Sequence, residues 1–287
     1  THNVSSAASD VYKRQLLGEV PEIKNFFVCC GLNSIGIGSG GGVGKVTAEW
    51  LMTGHINEDI FSYDIKRFQK FHSELGFIKK RITESLGDLY GMHWPFKQHK
   101  TSRDIKKLPH HENLKSFGAC FGVSGGYERP MWFALDGEKT EYEYSYNYQS
   151  WYPSAEYETS NTIKNVGLFD LTPFSKFEIK SDKAHQELQR ISTANIKKEV
   201  GKCTYTHMLN SDGGIETDLT IVAIDENHFR IISSAATRER DKHHIKKHLN
   251  KDIKLIDVTD DYCVFGLFGP KSRSLISSLS CLLYTSP

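Results

Sequence analysis

A multidomain chain mixing α+β and α/β architecture is the fold class the sequence predicts, and three observations predict it. An apolar run at Phe26–Cys30 leads into the glycine-dense stretch Gly31–Gly44 and then into apolar residues at helical spacing, a strand–loop–helix unit. From about Gly76 to Pro153 no period is sustained, which reads as an irregular connecting domain. After Asn165, strand runs and helices follow one another around a turn at Ser211–Gly214, the order of an α+β domain built on hairpins. A length of 287 residues accommodates two domains.

Taken in order, Phe26–Cys30 (FFVCC), stopped by Gly31, is expected as a buried strand with Cys29 and Cys30 as buried free thiols. Val43, Val46, Trp50 and Leu51 recur at helical spacing and Gly54 closes that helix. Ile65–Leu75 is expected to be helical. In the middle segment Glu128 and Arg129 read as a structural ion pair beside packed aromatics, and the tyrosine-rich Glu141–Tyr152 as a half-exposed strand. Further on, Phe177–Ile179 is strand-like and Asp182–Ile191 helical. Cys203–Leu209 and Asp218–Ile224 form the arms of a hairpin, with a third strand at His228–Ser233. A polar helix is expected at Thr237–Leu249, strands near Ile253–Val258 and Tyr262–Leu267, and a last helix with Pro270 at its first position.

Composition narrows the function classes. Apolar residues make up 38% and charged residues 25%, with a formal net charge of +1, so no charge excess points to nucleic acid or an anionic membrane. No apolar run approaches the ~20 residues that span a bilayer. Of the six cysteines, none forms a CxxC or other metal spacing, which suits a reducing compartment. The two ends stand apart. Ser5–Gln15 (SSAASDVYKRQ) back-translates to a common transposase-based sequencing adapter, and Cys281–Pro287 (CLLYTSP) to the same element in the opposite direction. Residues 1–15 and 281–287 are therefore expected to be foreign, with Leu16–Ser280 a native stretch cut on both sides.

Gly36-Ile37-Gly38-Ser39-Gly40-Gly41 matches GxGxxG between a strand and a helix. Glycines let backbone approach a ligand closely, and a helix N-terminus favours negative charge. No acidic residue follows at the ribose-binding position, and a P-loop fails at Ser39 and Val46. The pattern alone leaves a tight strand–helix turn and a ligand loop both open. His243, His244 and His248 share one helix, with His244 and His248 at i, i+4, but no glutamate follows in the HExxH manner and a solvated polar face is the expectation. His110-His111 lies in a loop without a ligand set, and no metal is expected.

The run Gly31–Asp59 resembles the closing segment of the FAD domain, of the D-amino-acid-oxidase type, in sarcosine and dimethylglycine dehydrogenases. The likeness continues through Tyr63–Phe68 (YDIKRF), Tyr127–Phe133 (YERPMWF) and Trp151-Tyr152. It is strongest at Val166–Glu178 (VGLFDLTPFSKFE) and Tyr205–Thr220 (YTHMLNSDGGIETDLT), which resemble the start of the glycine-cleavage aminomethyltransferase (GcvT-like) fold. The resemblance implies three parts: the end of the FAD domain at 16–60, a central connecting domain at 61–157, and an incomplete folate-binding domain at 158–280. It also implies that Leu32, Asn33, Ser34, Ile35, Gly36 and Ile37 contact the flavin ring of FAD. Asp218 would be the catalytic carboxylate facing tetrahydrofolate, and Tyr205 a folate contact. By residue chemistry alone, Asp218 also reads as a hairpin-end carboxylate accepting backbone N–H groups. Ser233-Ser234-Ala235 departs from the asparagine-containing motif of many aminomethyltransferases.

The implied activity is oxidative demethylation of an N-methyl amine, sarcosine or dimethylglycine, with an electron-transfer acceptor (a flavoprotein or oxygen) and one-carbon transfer to tetrahydrofolate. The implied setting is the cytoplasm of a bacterium or the mitochondrial matrix of a eukaryote. The 287-residue chain by itself is expected to be inactive, because the nucleotide-binding half of the FAD domain precedes it in the family. The same motifs are also similar to a non-catalytic regulatory subunit of pyruvate dehydrogenase phosphatase, and a stand-alone aminomethyltransferase is a third reading.

Overall fold

The computed structural model describes residues 15–32, 35–56, 58–88 and 91–279. Strands β1 (Leu16–Glu19) and β2 (Phe27–Cys30) pair antiparallel, and helix α1 (Gly36–Thr53) follows. Trp50 ties the unit together: it is buried, meets the Phe27 ring edge-on at 5.9 Å, and carries the Lys66 ammonium 4.6 Å over its face. A Cβ on Gly18 would stand 2.3 Å from the Trp50 ring, so only glycine allows this contact. Gly54 ends α1 in the left-handed region at φ 79°, its N–H donating to the Trp50 carbonyl at 2.8 Å.

Three expectations for this part need correction. The helix begins at Gly36, so the glycine motif forms its first turns and is not a loop. Glycine tolerates either state, at about 1 kcal/mol per helical residue relative to alanine, so the pattern did not distinguish them. Cys29 and Cys30 are exposed: they face opposite sides at the end of a two-stranded ribbon, which no further strand or sheet covers among the described residues. Ile65–Leu75 forms two 3₁₀ turns, Ile65–Arg67 and Lys70–Ser73, before α2 (Leu75–Asp88) starts. The Asp64 carboxylate accepts from the Lys66 N–H, and Phe68 then goes extended; a spacing of three between Ile65, Phe68 and Phe71 suits a 3₁₀ turn as well as an α-helix.

The connecting region holds a short α3 (His111–Ser116) and a hairpin, β3 (Ala119–Ser124) with β4 (Tyr127–Phe133). Glu128 does not pair with Arg129: successive strand residues face opposite ways. Glu128, 2% exposed, binds Arg103 at 2.7 Å, whereas Arg129 donates to the Asp170 carbonyl. Residues 141–151 form no strand. Tyr142 packs on Trp132 and Trp151, at 4.7 and 5.3 Å between rings, and the Tyr144 hydroxyl accepts from the Gln98 N–H, so an aromatic cluster replaces the expected alternation. Helix α4 (Tyr152–Lys164), with Pro153 in its first turn, gave no clear period in the sequence.

Beyond Asn165 come β5 (Gly167–Asp170), β6 (Ser175–Lys180), α5 (Ala184–Ile191), β7 (Cys203–Leu209), β8 (Ile215–Asp225), β9 (His228–Ser233), α6 (Arg238–His248), β10 (Leu255–Asp257), β11 (Phe265–Phe268) and α7 (Ser272–Ser277). Pro270 sits in the turn ahead of α7 and not at its first position. The strands order as β10-β6-β9-β8-β7, all antiparallel, and β5 pairs with β11. One face of the five-stranded sheet alternates Phe177, Ile179, Leu219, Ile221, Phe229 and Ile231 into the main core, closed by Leu188 of α5 and Ile245 of α6. Among the described residues no helix is long and apolar enough to cross a membrane.

Within that core lies a carboxylate. Asp241, 1% exposed, accepts from the Thr237 hydroxyl at 2.7 Å, and burial pushes its pKa from 3.8 up to about 6. A raised folded pKa means the group favours folding below its ordinary pKa and loses that contribution as pH rises through 6. Asp241→Asn keeps the acceptor, so above pH 6 it should stabilise the fold by up to about 3 kcal/mol. That gain should vanish near pH 4 in urea titrations; a gain independent of pH would contradict the assignment.

Candidate functional site

The hairpin β7–β8 carries the candidate pair. His207 lies opposite Asp218 and Tyr205 opposite Thr220 in the register, which sets Tyr205 diagonal to Asp218 on the same face. The Tyr205 hydroxyl donates to Asp218 Oδ2 at 3.0 Å, and that carboxylate holds the phenol above its ordinary pKa. Asp218 lies inside β8, four residues in, and not at the strand head. Both side chains are exposed, on the sheet face opposite the apolar core. His207 completes the group: its ring meets Tyr205 edge-on at 5.2 Å and Nε2 lies 3.5 Å from the Tyr205 hydroxyl. Sequence reasoning passed over His207, although its place two residues after Tyr205 puts both on one strand face.

The turn that delivers β8 is built by Asn210, whose Oδ1 accepts from the Asp212 and Gly214 N–H groups at 3.1 and 2.8 Å. Gly213 takes φ 82°, and a Cβ on Gly214 would stand 2.8 Å from the Asn210 side chain, so each glycine has its own reason.

The flavin-loop residues lie elsewhere. Leu32, Ile35, Gly36 and Ile37 sit at the amino end of α1, while Asn33 and Ser34 lie outside the described residues. The length of α1, about 27 Å at 1.5 Å per residue, separates that end from the carboxyl end. The structure therefore brings Tyr205 to Asp218, while Leu32, Ile35, Gly36 and Ile37 sit at the far end of α1 from the end that Gly54 and His55 follow. At the amino end of α1 the N-cap residue Ile35 makes no side-chain cap and no acidic residue stands in the first turn. A Cβ on Gly38, Gly40, Gly41, Gly42 or Gly44 would meet nothing within 4 Å among the described residues, and Ile37 is fully exposed.

The carboxyl end of α1 meets the hairpin turn across a cleft of ≈ 590 Å³ lined by Trp50, His55, Phe61, Glu216, Arg240 and His244. The expected solvated face of α6 holds at Lys246, Lys247 and His248, which are exposed, but His244 is half-buried: burial, with His248 adjacent, pushes it down to about 4, so it stands neutral beside the Arg240–Glu216 pair at 3.1 Å. Neighbouring elements bury a face that composition alone marks as polar. Glu84, Asp88 and His99 also approach one another, but Glu84 already accepts from the Thr101 N–H at 2.8 Å and Asp88 holds Lys97 at 2.6 Å, a clamp between α2 and the following loop.

Residues 110–283 match the GCVT N-terminal domain and residues 53–107 the FAD dependent oxidoreductase central domain. The chain is 37% identical over 92% of its length to 4-methylaminobutanoate oxidase (formaldehyde-forming) of Paenarthrobacter nicotinovorans, covering 32% of that protein. It is 32% identical over 92% of its length to the mouse mitochondrial pyruvate dehydrogenase phosphatase regulatory subunit, covering 31% of it. It is 28% identical over 93% to human mitochondrial sarcosine dehydrogenase, covering 33% of it. The chain thus spans about a third of the length of the curated relatives it matches. In fold it is similar to the glycine cleavage system aminomethyltransferase T of Bartonella henselae, with a TM-score of 0.50 and 21% identity over 61% of this chain and 44% of that one. With the GCVT N-terminal domain matched over more than half of its length, behind an FAD dependent oxidoreductase central domain, the chain belongs to the GCVT N-terminal domain family and is similar along more than nine-tenths of its length to sarcosine and dimethylglycine dehydrogenases.

Proposed function

We propose that the chain is part of an FAD-dependent dehydrogenase that demethylates an N-methyl amine, sarcosine or dimethylglycine, and passes the one-carbon unit to tetrahydrofolate. The observation that carries this reading is the Tyr205–Asp218 pair on the GCVT sheet, fused behind the oxidoreductase central domain. When bound, flavin would take the hydride from the N-methyl group, and tetrahydrofolate the one-carbon unit otherwise released as formaldehyde.

The chain's own residues fit both groups. The amino end of α1, where Ile35 makes no side-chain cap and a Cβ on Gly38 or Gly40 would meet nothing among the described residues, suits close approach of a flavin ring that gains negative charge on reduction. Leu32, Asn33, Ser34, Ile35, Gly36 and Ile37 would line it. At the other site Asp218, exposed and oriented by the Tyr205 hydroxyl, would hold or accept the proton of the folate amine that captures the carbon. We assign 16–60 to the end of the FAD domain, 61–157 to the connecting domain and 158–280 to the folate domain. Electrons would leave to a flavoprotein or to oxygen.

The identity to the pyruvate dehydrogenase phosphatase regulatory subunit favours a second, non-catalytic reading. Anaerobic titration of the full-length gene product with sarcosine, dimethylglycine and 4-methylaminobutanoate separates the two. Bleaching of bound flavin by one of these amines is the expected result; a protein that binds flavin and is reduced by none would support the regulatory reading.

A further inference from the structure

We propose that His55 is the positioning residue of the folate site, pinning from the oxidoreductase side the turn that sets Asp218 against Tyr205. The inference rests on the folate reading above. His55 follows the left-handed cap at Gly54, and its side chain is 6% exposed. Nε2 lies 2.9 Å from Asp212 Oδ2, and Nδ1 lies 3.3 Å from the Ser211 hydroxyl. A neutral imidazole satisfies both contacts: Nε2–H donates to the carboxylate and Nδ1 accepts from the hydroxyl. Both partners belong to the turn that Asn210 frames, 157 and 156 positions further along the sequence. The same seam is held by Lys247, which donates to the Gly54 carbonyl at 3.1 Å, and by His243 at 3.2 Å from Glu19.

The turn matters because it joins the two strands whose register places Asp218 beside Tyr205. The β7–β8 pairing shifts between Met208 and Leu209, immediately before the turn. A strand that slips by one residue exchanges its two faces. Asp218 lies two residues beyond Glu216, which Arg240 and Asn210 hold at 3.1 and 3.2 Å. A turn fixed at Ser211 and Asp212 by His55 and at Glu216 by α6 holds the hairpin end near Asp218 in the register that Leu219 and Ile221 set from the core, the one that places Asp218 beside Tyr205.

The test uses the full-length protein with His55→Ala and His55→Gln, read by site-resolved hydrogen exchange and by tetrahydrofolate binding. His55→Ala should speed exchange at residues 212–216 about ten-fold without speeding β6, since local opening is independent of global unfolding. It should weaken tetrahydrofolate about ten-fold, the scale of one lost charge-assisted hydrogen bond, and His55→Gln, which still donates to Asp212, should recover most of this. An unchanged dissociation constant in His55→Ala, or exchange that rises equally in β6, would overturn the proposal. If the wild-type protein binds no tetrahydrofolate, the folate reading falls, and the exchange data decide separately whether His55 holds the turn.

Discussion

Replacing Asp218 with asparagine is expected to lower methylene-tetrahydrofolate formation by about 10²-fold, the usual contribution of a positioned proton acceptor. The amide keeps the shape and accepts from the Tyr205 hydroxyl, but it takes no proton from the folate amine. The carbon should then appear as formaldehyde, in an amount matching the flavin reduced. Tyr205→Phe removes only the hydrogen bond at 3.0 Å and should slow capture by about three- to ten-fold. Quantifying labelled formaldehyde and methylene-tetrahydrofolate in one reaction checks both. Equal capture by Asp218→Asn and wild type would remove Asp218 from the chemistry and leave it as a strand-surface carboxylate.

The second large effect is on stability. Phe177 is wholly buried in β6, which lies between β9 and β10, where it stands opposite Ile231 and Asp257. Phe177→Ala should destabilise the domain by about 3–5 kcal/mol, because the removed ring leaves a cavity between a sheet and two helices that do not collapse into it. Typical domain stabilities are about 5–15 kcal/mol, so this is a large share of the total. Urea titration measures it directly. A loss below about 1 kcal/mol would mean that β6 is not the spine of this core.

These two residues mark what the sequence made legible. Phe177 and Asp218 fall where alternation and a paired-glycine turn announce strands, and Cys203–Leu209 and His228–Ser233 run as their patterns indicated. Period-two burial on one face is a local property, so it can be read locally. The expectations that needed correction depend on what packs from outside. The first turns of α1 are helical although their glycines permit a loop, and Cys29 and Cys30 are apolar in context yet bare. His244 lies on a lysine-rich helix and is nonetheless neutral, because the end of α1 and the hairpin turn close over it. In the same way Glu128 found Arg103 instead of its chain neighbour. The candidate site was half legible: Tyr205 and Asp218 came from motif resemblance, whereas His207 and His55 needed the register and the seam.

Oxidation and capture can be followed together in one anaerobic sample. The full-length protein is mixed with an N-methyl-¹³C amine and tetrahydrofolate, while flavin absorbance and the carbon spectrum are followed together. Bleached flavin and label in methylene-tetrahydrofolate are the expected result. Flavin that stays oxidised with every amine tried, and label that stays on nitrogen, would contradict it.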